Sequence, residues 1–332
     1  MNRVDQIVAN DLDTARLLNK ILTLYYAEEL TQLQIADQLG LSTAKVNRII
    51  QQARKQGLVD ITIRTPFQHL FELETRLKAV FNLKDAIVIP SIPEGATHTA
   101  YPLGRAAATY LVEHLTDGDS IAIGSGASVY AVVEATEASR DFDVTIVPLV
   151  GAVQGRVTSD VNYLTVRLAE RLGGKAYQLH APAFVDTREH REALVMMRPV
   201  KEILDIARQA KVALLGVGIL DKTESRFVQF TALSSEDMDR LIQVYEGVGD
   251  IAAHVFNIEG RPVAFEYSDR VVGLTLEELR RIPLTIGVAA TAAKALPLFG
   301  ALRGNYLHAL ITDEAAARGI LDLFDRDFRK QA

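Results

Sequence analysis

Between Ser42 and Gln56 the chain places Lys45, Arg48, Arg54 and Lys55 with no acidic residue among them, although its formal net charge is −6. Positive charge gathered on one short segment of an acidic protein is the footprint of a phosphate contact. Charge alone favours the plainer reading, a solvated helix face. The neighbouring residues add information. If the segment from Thr43 is helical, Thr43, Ala44, Asn47, Arg48 and Gln51 share one face. Amides such as Asn47 and Gln51 can pair with adenine, and the Arg48 guanidinium can pair with guanine. Lys45, Arg54 and Lys55 suit phosphates. Thr31, Gln34 and Ser42, at the starts of two helices, complete this set of candidate DNA contacts.

A second group of residues could hold an anion and a polyol. IAIGSGAS is an apolar strand, two glycines with hydroxyls, and then a helix start. In it, backbone N–H groups of Gly124, Ser125, Gly126, Ala127 and Ser128 and the helix dipole could cradle a phosphate. A plain tight turn is the competing reading. With Val at 129 the loop is not the GxGxxG of dinucleotide sites. LLGVGI, with Gly216 and Gly218, repeats the strand-then-glycine arrangement, as does VGDI, whose Asp250 could accept sugar hydroxyls. Lys294 lies in ATAAKALPLFGAL, which otherwise reads as a small-residue helix. Its ammonium either snorkels to solvent or meets a phosphate. Asp313, in ALITDE, reads as the cap of the next helix.

Other chemistries are excluded. With 0 Cys there are no thiol nucleophiles, disulfides or cysteine-held zinc, and the 7 His show no ligand spacing, so neither a metal nor a cofactor is expected. There is no apolar run long enough to span a bilayer, and Met1 to Asp13 is polar and acidic. No membrane partner or signal peptide is expected, and the cytoplasm is the default compartment. At 48% hydrophobic and 23% charged, 332 residues give a globular protein of two domains.

Several elements must position these residues. Leu17, Leu18, Ile21, Leu22 and Tyr25 form an apolar stripe that predicts a helix over 13–27. Thr31 with Gln34 three residues on is a capping box opening a second helix. Ser42 caps a third, over 43–56. Small Ala36 at the crossing, Gly40 in the turn, and Val46 and Ile49 packing on Ile35 and Leu39 describe a helix-turn-helix. A three-helix packing module without DNA contact is the alternative. LVDITIR, over 58–64, alternates as a half-buried strand and predicts a wing. The apolar face over 67–81 predicts a connecting helix that packs on its own domain or on a second subunit, and the pattern does not choose.

From Ala86 onward, short apolar runs (86–89, 120–123, 144–147, 212–216, 284–288, 307–311) alternate with helical stretches. This predicts an α/β fold with a mainly parallel sheet. Ligands in such sheets sit beyond the carboxyl ends of the strands.

The segments TQLQIADQLGLSTAKVNRII, DGDSIAIGSGASV, VPLVGAV, NYLTVRLAERLGG, LLGVGIL, VGDIAAHVFN, RVVGLTLEELRRIP and ALRGNYLHALITDEAAARGIL, in this order and spacing, resemble the SorC family of sugar-binding transcriptional regulators. The resemblance implies a winged helix-turn-helix over 1–65, a connecting helix over 66–82, and a sugar-binding and oligomerisation domain over 83–332. That domain would be related in fold to sugar-phosphate isomerases and deaminases. The implied partners are operator DNA, a sugar or sugar-phosphate effector, and further copies of the chain in a homodimer or homotetramer. Residues 124–128, Asn162, Gly216, Gly218, Asp250 and Lys294 match positions that line the effector pocket in relatives. Here Ala127 lacks a hydroxyl, Leu149 and Val150 stand where some members have Arg, and Ala290 and Thr291 stand where many have glycine. The rival function is a sugar-phosphate isomerase or deaminase-like enzyme with Asp250 as base and Lys294 as stabiliser. A nucleotide-binding module is a third reading.

Overall fold

Apolar stripes on three short helices converge at the start of the chain. In the computed structural model, which describes residues 12–59, 65–91, 100–153, 160–221, 233–263 and 265–331, these helices are α1 (Leu12–Tyr26), α2 (Gln32–Leu39) and α3 (Thr43–Lys55). They bury Ile21, Leu24, Ile35, Ala36, Val46 and Ile50 against one another. Thr31 and Gln34 form the expected capping box, and Ser42 Oγ accepts from Lys45 N–H at 3.2 Å. Gly40, at φ 65°, donates its N–H to the Ala36 carbonyl, as a left-handed helix terminator does. The stripes are rotated slightly from the expected ones. Leu24 is buried where Tyr25 is half-exposed, and Ile50 is buried where Ile49 is half-exposed, because the inward row of α3 runs Val46, Ile50, Ala53. Most of the predicted wing, residues 60–64, lies outside the described residues.

The chain divides between Pro66 and Phe67 into two compact units. The larger opens with α4 (Gln68–Phe81), the expected connecting helix. It packs on its own unit: Leu70 and Leu77 enter the core, and Glu74 accepts the Val88 N–H at 2.8 Å. The remaining elements in chain order are β1 (Asp85–Ile89), α5 (Ala100–Glu113), β2 (Ser120–Ile123), α6 (Ala127–Ala135), β3 (Thr145–Pro148), α7 (Val161–Leu172) and β4 (Lys175–Ala176). Then come α8 (Arg188–Met196), α9 (Arg198–Arg208), β5 (Val212–Gly216), β6 (Gly218–Ile219), α10 (Ser235–Gln243), β7 (Gly247–Ile251) and β8 (His254–Asn257). Last are α11 (Phe265–Ser268), α12 (Leu276–Arg280), β9 (Leu284–Val288), α13 (Ala295–Arg303), β10 (Ala309–Asp313) and α14 (Glu314–Gln331). Among the described residues, no helix is long and apolar enough to cross a membrane.

Seven strands form one parallel sheet in the order β1-β10-β9-β5-β2-β3-β4. Its central strands β2, β5 and β9 are apolar on both faces, which is why they appear in the sequence as continuous runs. Ile121, Ile123, Val212 and Leu214 face α5, α6 and α7, whereas Ala122, Ala213 and Leu215 face α4, α9, α13 and α14. From β2 the chain moves to β3 and β4 on one side, and from β5 to β9 and β10 on the other. The direction therefore reverses at the β2–β5 seam. VGDI, expected to behave like the other strand-then-glycine segments, belongs instead to a small antiparallel sheet, β6-β7-β8, beside the main one. His254 on β8 is buried, its Nε2 has no hydrogen-bond partner, and burial pushes its imidazole down to about 4.

Helices α5 and α6 cross closely at Gly104, where a Cβ would run into the carbonyl of Ala131. Gly104→Ala is expected to destabilise the larger unit by about 1–3 kcal/mol, seen as a lower urea midpoint with an unchanged slope. An unshifted midpoint would show that the two helices part freely.

Candidate functional site

On α3, the row opposite Val46, Ile50 and Ala53 is exposed and consists of Thr43, Ala44, Asn47, Arg48 and Gln51, with Lys45 and Lys55 also exposed. The expected reading face is thus free of the unit's own core. The other four candidates are already engaged within the unit, Ser42 by capping α3. Arg54 Nε donates to the Tyr26 hydroxyl at 2.6 Å with its guanidinium over that ring, which ties α3 to α1. Thr31 and Gln34 bond each other in the capping box, with Thr31 N–H donating to Gln34 Oε1 at 2.9 Å. Thr31, Gln34 and Arg54 are therefore positioned at this surface mainly by what they do for the fold.

The second group converges on a cavity of about 310 Å³ at the carboxyl ends of β2 and β5. A point where strand order reverses leaves a crevice, and ligands of open α/β sheets occupy it. Gly124, Ser125, Gly126, Ala127 and Ser128 line it from the end of β2, Gly216 from β5, Gly218 from β6, Asp250 from β7, and Lys294 from the segment after β9. Gly126 has φ 110° and ψ 170°, a conformation almost restricted to glycine, and it starts α6 with no side-chain cap. The N–H groups of that first turn are thus available to an anion. Gly218 is required by space: a Cβ there would overlap the Asp250 carboxylate.

Lys294 points into the cavity, and Nζ donates to the Val217 carbonyl at 2.9 Å. It does not ride on a helix as expected. It closes a short 3-10 turn, Ala292–Lys294, ahead of α13. Thr291 before that turn has φ 88° and ψ 153°. For a β-branched residue this region costs about 1–3 kcal/mol. Asp313 does cap α14, accepting the Ala316 N–H at 3.1 Å, and the same oxygen accepts the Thr291 N–H at 3.0 Å. Burial pushes the Asp250 carboxyl up to about 6, although the Lys294 charge and the Ala253 N–H both act to lower it. Ala252 and Ala253, at φ 49° and 67°, form a two-residue hairpin whose tip also lines the cavity.

Asn162 is not among the residues lining the cavity. Its Nδ2 donates to the Leu179 carbonyl at 3.1 Å and its Oδ1 accepts the Leu179 N–H at 2.8 Å, so both ends of the buried amide are engaged by one peptide. This pair holds the chain after β4, from which Ala183 and Phe184 reach the cavity wall. Those two residues, with Val153, Ala252 and Ala253, escaped sequence reasoning. The segment has no strand or helix period, and it is placed by isolated pairings of Ala152 with Pro182 and Phe184 with Val271. The loop after β3 contributes Val150, an apolar wall where an arginine would supply charge.

Comparison with known proteins agrees with this anatomy. The Sugar-bind family, described as "Putative sugar-binding domain", matches residues 65–322, and the Sigma-70, region 4 family matches residues 17–56. The chain is 30% identical over 313 residues to the sorbitol operon regulator of Klebsiella pneumoniae, covering 93% of this chain and 98% of that protein. It is 28% identical over 313 residues to the deoxyribonucleoside regulator of Bacillus subtilis (strain 168), covering 94% and 99%. The crystal structure of the full-length Klebsiella pneumoniae regulator superposes with a TM-score of 0.72 at 29% identity, over 93% of this chain and 99% of that one. With a helix-turn-helix joined to a parallel sheet that carries its cavity at the strand-order reversal, the chain belongs to the SorC family of sugar-binding transcriptional regulators.

Proposed function

We propose that this chain binds operator DNA through α3 and holds a sugar or sugar phosphate in the cavity at the β2–β5 seam, which alters its DNA binding and so controls a carbohydrate-catabolic operon. The observation that carries the reading is the lining of that cavity. An uncapped helix start and the Lys294 ammonium suit a phosphate, and the Asp250 carboxylate suits hydroxyls. Apolar walls from Val150, Val153 and Phe184 enclose the rest of a small ligand. The role needs no cofactor. A single helix-turn-helix covers one half-site, which favours a homodimer or homotetramer acting in the cytoplasm.

One observation favours the enzyme reading: a carboxyl near 6 beside a lysine is suited to proton abstraction. The fused DNA-reading unit favours the sensor, since proton abstraction alone gives no reason for it. Turnover of a sugar phosphate by the purified protein would reverse that preference. A thermal-shift screen of sugars, polyols and their phosphates is the direct test of the sensor, because a ligand that binds only the folded state raises Tm. The sensor reading fails if no member of that set shifts Tm.

On the DNA side, Arg48→Ala is expected to relax base preference at one operator position. Lys55→Ala should weaken binding to all sequences and reduce the salt slope by about one. Equal losses on operator and random DNA for both variants would contradict these roles. In the cavity, Lys294→Ala should abolish the response to the stabilising sugar phosphate while leaving operator affinity within about twofold. A retained response would remove Lys294 from the site.

Stability against pH separates two desolvated groups, the half-buried Asp250 and the buried His254. As pH rises, Asp250 ionises in the unfolded chain first, so its burial lowers stability progressively between about 4 and 6. As pH falls, His254 protonates in the unfolded chain first, so its burial lowers stability between about 6.5 and 4. The two oppose each other in the same window. Asp250→Asn should therefore raise stability at pH 7.5 by on the order of 1–3 kcal/mol and steepen its loss on acidification. Urea midpoints from pH 4.5 to 7.5 provide the check, and a lower midpoint at pH 7.5 would contradict it.

A further inference from the structure

We propose that Asp313 is a positioning residue of the cavity: its carboxylate holds the strained Thr291 peptide and thereby fixes where Lys294 enters. The consequence for ligand binding rests on the effector reading, but the placement of Lys294 does not.

Asp313 ends β10 and is fully buried. Capping α14 needs only the bond to the Ala316 N–H, yet the same oxygen also accepts the Thr291 N–H from a segment 22 residues away in sequence. That second bond falls on a residue in a backbone region that L side chains avoid. Such a conformation persists only where its surroundings enforce it. The Thr291 carbonyl in turn accepts the Lys294 N–H at 3.0 Å, so the short turn that carries the lysine is tied to Asp313 through this one residue.

On the far side the turn has no room to slide. A Cβ on Gly319 of α14 would lie 2.6 Å from the Ala295 Cβ, so the residue after Lys294 is pressed against that helix. Rotation about Thr291 is a freedom that this packing does not remove. Without the Asp313 oxygen, Thr291 relaxes toward ordinary extended backbone, and the turn carries the lysine stem away from the Val217 carbonyl it meets at 2.9 Å. A glycine at 291 would hold the same shape without help.

Serine is itself a good helix cap, so Asp313→Ser keeps the start of α14 while shortening the reach to Thr291. The readout is competitive acetylation of the full chain by acetic anhydride without any effector, with Lys294 followed by mass spectrometry relative to exposed Lys20. Asp313→Ser is expected to raise the Lys294 rate by about fivefold or more, while Asp313→Asn, which keeps an acceptor oxygen, stays near wild type. Adding Thr291→Gly to Asp313→Ser should return the rate to within about twofold of wild type. If Asp313 serves only α14, the serine variant stays near wild type, or its effect persists with glycine at 291. Either result overturns the proposal. Because no ligand is present, the outcome stands apart from whether a sugar phosphate binds.

Discussion

The hydrogen bond from the Gly124 N–H to the Leu214 carbonyl, 2.8 Å long, closes the seam between β2 and β5 just where the two strands end. Every part of the cavity is referred to that seam. The chain leaves β2 toward β3 and leaves β5 toward β9, so two loops splay apart above a pair of strands that stay bonded below. Parallel pairing with helices on both faces makes this arrangement rigid, because the strands are buried on either side and cannot slip by one residue without turning apolar groups outward. The rigid floor lets a strained residue such as Thr291 and the left-handed Ala252 and Ala253 persist at the rim.

Much of this was legible from the residues. The runs at 120–123, 212–216 and 284–288 coincide with β2, β5 and β9, because a strand covered on both faces is a continuous apolar run bounded by turn residues. The helix starts at Gln32 and Thr43 follow from Thr31 and Ser42, whose side chains satisfy free backbone N–H groups. Of the ten residues proposed for the cavity, nine line it. Gly218 is dictated by the Asp250 carboxylate, which leaves no room for a side chain, and Gly126 by its positive φ.

What escaped has a physical reason in each case. Phe184 and Ala183 are placed by two isolated pairings and by the amide of Asn162, contacts of high sequence separation that leave no local period. Asn162 matches a pocket position of relatives, but here its amide is taken up by the Leu179 peptide, so it shapes the cavity from behind the wall. The small residues around Lys294 read as a helix, whereas the positive φ at Thr291 breaks the segment into a short turn first. VGDI reads like its parallel neighbours, and only the hairpin at Ala252 and Ala253 makes it antiparallel. Alanine at two left-handed positions gives no warning of this.

The long α14 begins at the Asp313 that holds the cavity's rim and runs beside α4, where Arg76 meets Asp325 and His69 meets Glu314. The cavity and the helix that follows the DNA-reading unit in sequence are thus braced by one element. The cavity at the seam is the proposed effector site. Hydrogen–deuterium exchange of the full chain, with and without the sugar phosphate that stabilises it most, tests this directly. The account predicts slowed exchange at the amides of Gly124 to Ser128 and at Gly216 to Gly218, where backbone N–H groups would hold or border the ligand. Slowed exchange confined to other segments, with those amides unchanged, would contradict it.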